Sequence, residues 1–202
     1  MTLYWKEGPK RAMGRRGKGG GMGANETIKE VFCNLLQEKP YDEITIAEIC
    51  RITHVSSKTF YKHYEGKPGL VREIMYDDWV RPVLQVREVL PLDAIYSATH
   101  LMIEQSFERI WERRSLYCNL FKHYGRDLLA DDIVAVLEPL CHSVYERYHF
   151  PTEENEFVVR LFSSLQVPII YWWLTEHDDI TPKAIARYFN DWCFGRWRDL
   201  EN

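Results

Sequence analysis

Only three residues, Thr53-His54-Val55, separate two short helix signals, and that spacing restricts the fold more than any other feature of the chain. Thr45-Ile46-Ala47-Glu48 has the form of a capping box. The Thr45 hydroxyl can accept from the Glu48 N–H, and the Glu48 carboxylate can reach back to the Thr45 N–H. Ile46, Ile49 and Ile52 follow at helical spacing and give that helix an apolar face. Ser56 is a good N-cap for a second helix, and Val55 before it can staple onto Phe60. So short a break forces a sharp angle between the two helices, the geometry of a helix-turn-helix.

The second helix presents Ser57, Lys58, Thr59, Tyr61, Lys62 and His63 around an apolar Phe60. Hydroxyls and Lys can bond to base edges or phosphates, and a Tyr hydroxyl is a common phosphate donor. Glu65-Gly66-Lys67-Pro68 opens a third helix, where Pro suits a first turn whose N–H groups have no helical partner. Those free N–H groups together with Lys67 form a phosphate seat. The expected DNA-contacting set is therefore Thr45, Ser56, Ser57, Lys58, Thr59, Tyr61, Lys62, His63 and Lys67. An ordinary three-helix core also carries caps and hydroxyls, but box, turn, staple and cationic helix together favour DNA binding.

These residues resemble the N-terminal domain of the TetR family of transcriptional regulators. The similarity lies in Tyr41, Thr45-Ile46 with Ile49, Val55-Ser56, Thr59-Phe60-Tyr61, His63-Tyr64, and Lys67 with Leu70. It covers roughly the first third of the folded chain. The chain departs at the turn, where the family usually has Ala-Gly and this sequence has Thr53-His54. Gly is favoured there because positive φ is cheap for it, and His is among the residues enriched at positive φ. The resemblance implies a homodimer on a pseudo-palindromic double-stranded DNA operator. It also implies a ligand pocket in the helical body and a lever helix joining head to body.

Beyond this stretch, strand signals are scarce and apolar residues recur at three and four almost throughout the 202 residues, which predicts an all-α fold. Residues 25–70 are expected to form a helix-turn-helix DNA-binding domain. Residues 71–202 are expected to form a helical regulatory and dimerisation domain. The first helix, about 25 to 38, carries Ile28, Val31, Phe32, Leu35 and Leu36 in one stripe. Leu70, Val71, Ile74, Met75 and Trp79 mark the lever helix. Further helices are predicted near 93–112, 115–123, 130–147, 153–176 and 181–198, with Pro168 kinking the fourth of these. The last two are strongly apolar and aromatic. Phe157, Leu161, Leu165 and Trp172 on one, and Ile185, Phe189 and Trp192 on the other, are the expected dimer face, because such a hairpin alone leaves excess apolar surface. They could also fill the core of the chain itself.

The formal net charge is -4, which is unusual for a DNA binder until it is divided along the chain. Residues 1–24 hold Lys6, Lys10, Arg11, Arg15, Arg16 and Lys18 against Glu7 alone, a net of +5, which leaves -9 for the remainder. Local charge at the DNA face matters more than the total. This Gly-rich tail lacks apolar periodicity and is expected to be flexible. It is either a leader of no structural role, with Met13 or Met22 as alternative starts, or an arm that reaches phosphates or the minor groove.

Five scattered cysteines without a CxxC point to a reducing cytoplasm rather than a disulfide framework. The longest apolar run, Val167 to Leu174, is too short to span a bilayer, so no membrane partner is expected. Cys141-His142, and Cys118 with His123, lack metal-ligand spacing. No nucleophile elbow, phosphate-binding Gly loop or HExxH occurs, so neither an enzyme nor a cofactor is expected. Tyr96, Phe107, Trp111, Tyr117, Phe121, Tyr124, Tyr145, Tyr148 and Phe162 could line an effector pocket, although aromatic residues at helical spacing more often form plain core. The functional expectation is a ligand-responsive dimeric repressor. The alternative is an accessory protein of the same fold that acts through protein contacts and has no operator of its own.

Overall fold

The computed structural model describes residues 23–82, 92–147 and 152–198, with side chains except at 92–100, 140, 141, 143–147, 152–156, 158, 159, 162, 163 and 192–198. No strand occurs among the described residues. Residues 1–22 lie outside them.

Helix α1 spans Ala24–Glu38, and the Gly23 N–H donates to Glu26 Oε2 at 3.2 Å to start it. Ile28, Phe32, Leu35 and Leu36 are buried along one side, as their spacing predicts. A 3₁₀ turn at Tyr41–Glu43 leads into α2, Ile46–Thr53, and α3, Ser57–His63. Helix α4, Lys67–Met75, continues through a π-helical turn at Tyr76–Val80. The body comprises α5 (Leu92–Glu112), α6 (Arg114–Asn119) with a π-helical turn at Leu120–Tyr124, α7 (Arg126–Arg147), α8 (Thr152–Glu176) and α9 (Pro182–Arg198). Helix α8 runs on through Pro168.

Head and body share one continuous apolar core. Ile28, Phe32, Ile49 and Phe60 close the head, and burying a side chain such as Phe60 contributes about 2–3 kcal/mol. Leu70, Val71, Ile74, Met75 and Trp79 carry the core along α4 into the body. Residue 70, the expected head boundary, therefore falls inside a helix that serves both parts. In the body, α8 packs mainly on α7, and α9 on α5. Phe107, Trp111, Trp173 and Phe189 meet there, with Trp111 stacked on Trp173 at 5.4 Å between centroids. These rings fill one another's space, so Phe107 and Trp111 are core at this point. Tyr148 and the side chains of Tyr96, Tyr145 and Phe162 lie outside the described residues.

Candidate nucleic-acid interface

The α2–α3 pair forms as its capping residues dictate. Thr45 accepts from the Glu48 N–H at 3.1 Å, and Ser56 accepts from the Thr59 N–H at 3.1 Å. Val55 packs against the core that holds Phe60. The box at Thr45 is only half made. Glu48 turns its carboxylate to Lys39 at 2.5 Å, which holds it below the usual carboxylate range. An ammonium rewards that carboxylate more than a backbone N–H does. Ile52 also departs from the expected apolar face: it is exposed, and Cys50 is buried in its place. The turn needs one left-handed residue, and His54 supplies it with φ 55 and ψ 27. No other non-Gly residue among the described ones has positive φ.

Helix α3 buries Phe60 and turns Ser57, Lys58, Tyr61, Lys62 and His63 to the surface. Ser56 and Thr45 are exposed beside it, while Thr59 is half-buried with its hydroxyl 2.9 Å from Ser56 Oγ. The surface thus combines hydroxyls, two ammonium groups, an imidazole and a phenol on one short helix. Such groups reach phosphates and base edges.

Lys67 behaves differently from its expected role as a phosphate seat. Its ammonium donates to the Tyr41 carbonyl at 2.7 Å and lies 4.0 Å from the centre of the Tyr41 ring. Desolvation lowers its pKa. A cation satisfied by a carbonyl and an aromatic face is spent on folding the head. Gly66 before it has φ 147 and is buried, a conformation that favours glycine, so the chain enters α4 sharply enough to bring Lys67 over Tyr41.

Polar side chains fasten this head to the body. Asp78, only 4 % exposed, accepts from Arg113 Nη1 at 2.9 and 2.8 Å and from Tyr117 Oη at 2.6 Å. Arg113 Nη2 also reaches Cys33 Sγ on α1. Burial holds the Asp78 carboxyl above its ordinary value even with Arg113 opposing, and burial and Asp78 push the Tyr117 phenol well up. A second set repeats the chemistry: Asp132 accepts from Arg72 at 3.2 Å and Tyr124 at 2.6 Å. Asn119 donates to the Leu36 and Lys39 carbonyls, each at 2.7 Å, and accepts the Tyr41 N–H at 3.0 Å. One body side chain thereby satisfies the end of α1 and the start of the next turn. The sequence reading missed Asp78, Arg113, Arg72 and Asn119, and took Tyr117 and Tyr124 only as possible lining of an effector pocket. Asp78 gave a signal, since it falls four residues after Ile74 on the apolar stripe, where an acid needs a partner.

Along α8, Phe157 is 68 % exposed, and Leu161 and Trp172 are each 38 % exposed. Leu165 between them is half-buried. Phe157, Leu161, Leu165 and Trp172 fall on one side of α8. On α9, Ile185 and Phe189 are buried in the core of the chain itself, at 4 % and 6 % exposure. Phe189 faces Phe107 at 5.8 Å, because α9 must cover the aromatic cluster of its own chain. Tyr188 is exposed on α9. The Trp192 side chain lies outside the described residues. No helix among the described residues is long and apolar enough to cross a membrane.

A helical head of this form, joined through a shared helix to an all-α body, defines a class of DNA-binding regulator. The family described as "Bacterial regulatory proteins, tetR family" matches residues 32–74, and that described as "Transcriptional regulator C-terminal region" matches residues 98–193. The chain belongs to the TetR family of transcriptional regulators. Solved structures share the fold. The TetR transcriptional regulator from Streptococcus agalactiae is 22% identical with a TM-score of 0.54, over 84% of this chain and 93% of that one. The fatty acid degradation regulator FadR from Bacillus halodurans is 12% identical with a TM-score of 0.55, over 88% and 97%. The dihydroxyacetone kinase operon activator DhaS is 15% identical with a TM-score of 0.55, over 86% and 95%. No curated protein matches the chain in sequence.

Proposed function

We propose that this regulator is a homodimeric repressor whose two α3 helices read inverted half-sites of a pseudo-palindromic operator, and that a small molecule bound in the body relieves repression. Residues 25–70 act as the DNA head and 71–202 as the regulatory and dimerisation body. The observation that carries the DNA reading is the outward row of Ser57, Lys58, Tyr61, Lys62 and His63 over buried Phe60. The exposed apolar side of α8 supports pairing with a second copy, because Phe157 and Trp172 otherwise face water. Two heads related by a two-fold meet half-sites about one helical turn or somewhat more apart. An effector acts only through its different affinity for the two packings of head on body. A coupling of about 1–3 kcal/mol changes DNA affinity about 5- to 150-fold.

A second reading, an accessory protein acting through protein contacts, draws support from the head's own charge. Residues 23–82 hold eight Lys and Arg against ten Asp and Glu. Selection of bound duplexes from a random DNA pool separates the two. A consensus with inverted symmetry supports the operator-binding dimer; failure to enrich any sequence sinks it and leaves the accessory role. A thermal-shift screen of apolar and cationic metabolites, with hits titrated against operator-bound protein, tests the effector. A hit that binds free and DNA-bound protein equally is not an inducer.

A further inference from the structure

The end of α1 and the body face each other across a groove of about 340 Å³. Residues 36–40 of the head form one wall. Ser115, Cys118, Asn119, Lys122 and His123, from α6 and the π-helical turn after it, form the other. The volume lies within the range of roughly 300–1,000 Å³ that small-molecule sites occupy. Its shape is fixed before anything binds. The Asn119 side chain crosses from the body wall to the Leu36 and Lys39 carbonyls and to the Tyr41 N–H. A site whose walls are already tied together loses little freedom on binding.

The charges around the groove are unevenly matched. Lys39 is held by Glu48 within the head, and His123 Nδ1 lies 3.6 Å from Asp42 Oδ2. Glu38 and Lys122 are exposed and make no hydrogen bond or ion pair among the described residues, with each other or with any neighbour. An exposed charge alone is satisfied by water and indicates nothing. These two have opposite signs and stand on opposite walls of one groove. Glu38 also ends α1, whose last turn contains no basic residue. The carbonyl end of a helix favours a cation and disfavours an acid, so this end calls for an ammonium group that its own last turn does not supply. Lys122 on the facing wall offers N–H donors to a carboxylate. Leu36, Pro40 and Cys118 add apolar surface to the same groove.

We propose that this groove binds a free α-amino acid, with its ammonium at Glu38 and the carbonyl end of α1 and its carboxylate at Lys122. A simple acid meets Glu38 with the wrong sign, and a simple amine leaves Lys122 unmatched, so a zwitterion suits the groove best. A molecule that touches both walls senses how the head sits on the body. The proposal therefore gives the effector a chemical class and a place, and its regulatory consequence rests on the effector reading above.

Isothermal titration calorimetry of the full-length chain against each protein amino acid in turn, without DNA, tests the site. At least one should bind, while its N-acetyl derivative and its carboxamide, which each lack one charge, should not. Glu38→Gln and Lys122→Gln should each weaken that binding about 5- to 10-fold. Thermal melting should show both variants folded like wild type, since both side chains lie on the surface. Operator affinity, measured by fluorescence anisotropy with and without that amino acid, should change about 5- to 150-fold in wild type and far less in both variants. Failure of every protein amino acid to bind overturns the site, whatever the DNA result. So does a derivative lacking either charge that binds as well as its parent, and so does binding that both variants keep. Binding that depends on Glu38 and Lys122 yet leaves operator affinity unchanged sustains the site and sinks its regulatory role. If the wild-type chain selects no operator, the DNA reading fails, and the calorimetry alone decides the site.

Discussion

Replacing Arg113 by Ala removes the only cation among the described residues that touches Asp78 and leaves a carboxylate that is 4 % exposed with, among those residues, one remaining donor, Tyr117 Oη. Breaking a buried pair from one side costs about 3–5 kcal/mol, because the stranded charge keeps its desolvation penalty. A chain of this length shifts its melting temperature by about 2–4 °C per kcal/mol, so Arg113→Ala should melt about 6–20 °C lower than wild type. The effect carries a pH signature. Burial already raises the Asp78 pKa with Arg113 present, and removing Arg113 raises it further. A carboxyl whose folded pKa lies above its unfolded value binds its proton more tightly in the fold. Its stabilisation is therefore full below the unfolded pKa and is lost as pH rises through the folded pKa. The deficit of Arg113→Ala should accordingly shrink as pH falls from neutral toward about 5. Adding Asp78→Asn should recover most of the loss at neutral pH. The assay is urea and thermal denaturation followed by circular dichroism across that pH range. A loss below about 1 kcal/mol, or one that acid does not reduce, would refute the view that this buried pair clamps head to body.

Four shorter predictions accompany it. His54→Gly should raise stability by about 0.5–1 kcal/mol, since the left-handed cost of a side chain exceeds the entropy that Gly adds to the unfolded chain; a lower melting temperature would show that the imidazole makes a contact worth more than the strain. Lys67→Ala should lower the melting temperature while leaving the salt slope of DNA binding within about half a unit of wild type; a slope change of about one unit would restore Lys67 to the phosphate contacts. Asn119→Ala should cost about 2–3 kcal/mol through the carbonyls of Leu36 and Lys39 left without a donor, read by denaturation; a change within about 0.5 kcal/mol would mean that water replaces the amide. Phe157→Glu with Trp172→Glu should leave a folded monomer in analytical ultracentrifugation at concentrations where the wild type dimerises; an unchanged sedimentation coefficient would place the dimer face elsewhere.

The head was legible in the sequence because its information is local. Thr45 and Ser56 cap α2 and α3 through N–H groups three residues away, and Phe60 lies one turn past its own cap. The need for positive φ at His54 follows from a turn only three residues long. Helix periodicity placed the body elements for the same reason, since an apolar stripe depends on spacing alone. Partner choice is another matter. Lys67 reads as a free cation at a helix start until the chain folds Tyr41 beneath it, 26 residues earlier. Glu48 completes a capping box on paper, yet prefers an ammonium that the end of α1 delivers. Ile185 and Phe189 cannot be told from Phe157 and Trp172 by spacing, because an apolar stripe does not say whether it covers its own chain or another. That was decided when α9 closed over Phe107 while one side of α8 stayed open. The sequence by itself determined which segments are helical, where the helices of the head start and which helix carries the hydroxyls and cations. Only the tertiary structure decided which charges are spent inside, at Asp78, Asp132 and Lys67, because a charge is neutralised by whatever the fold brings within about 3 Å, and that distance in space has no fixed relation to distance along the chain.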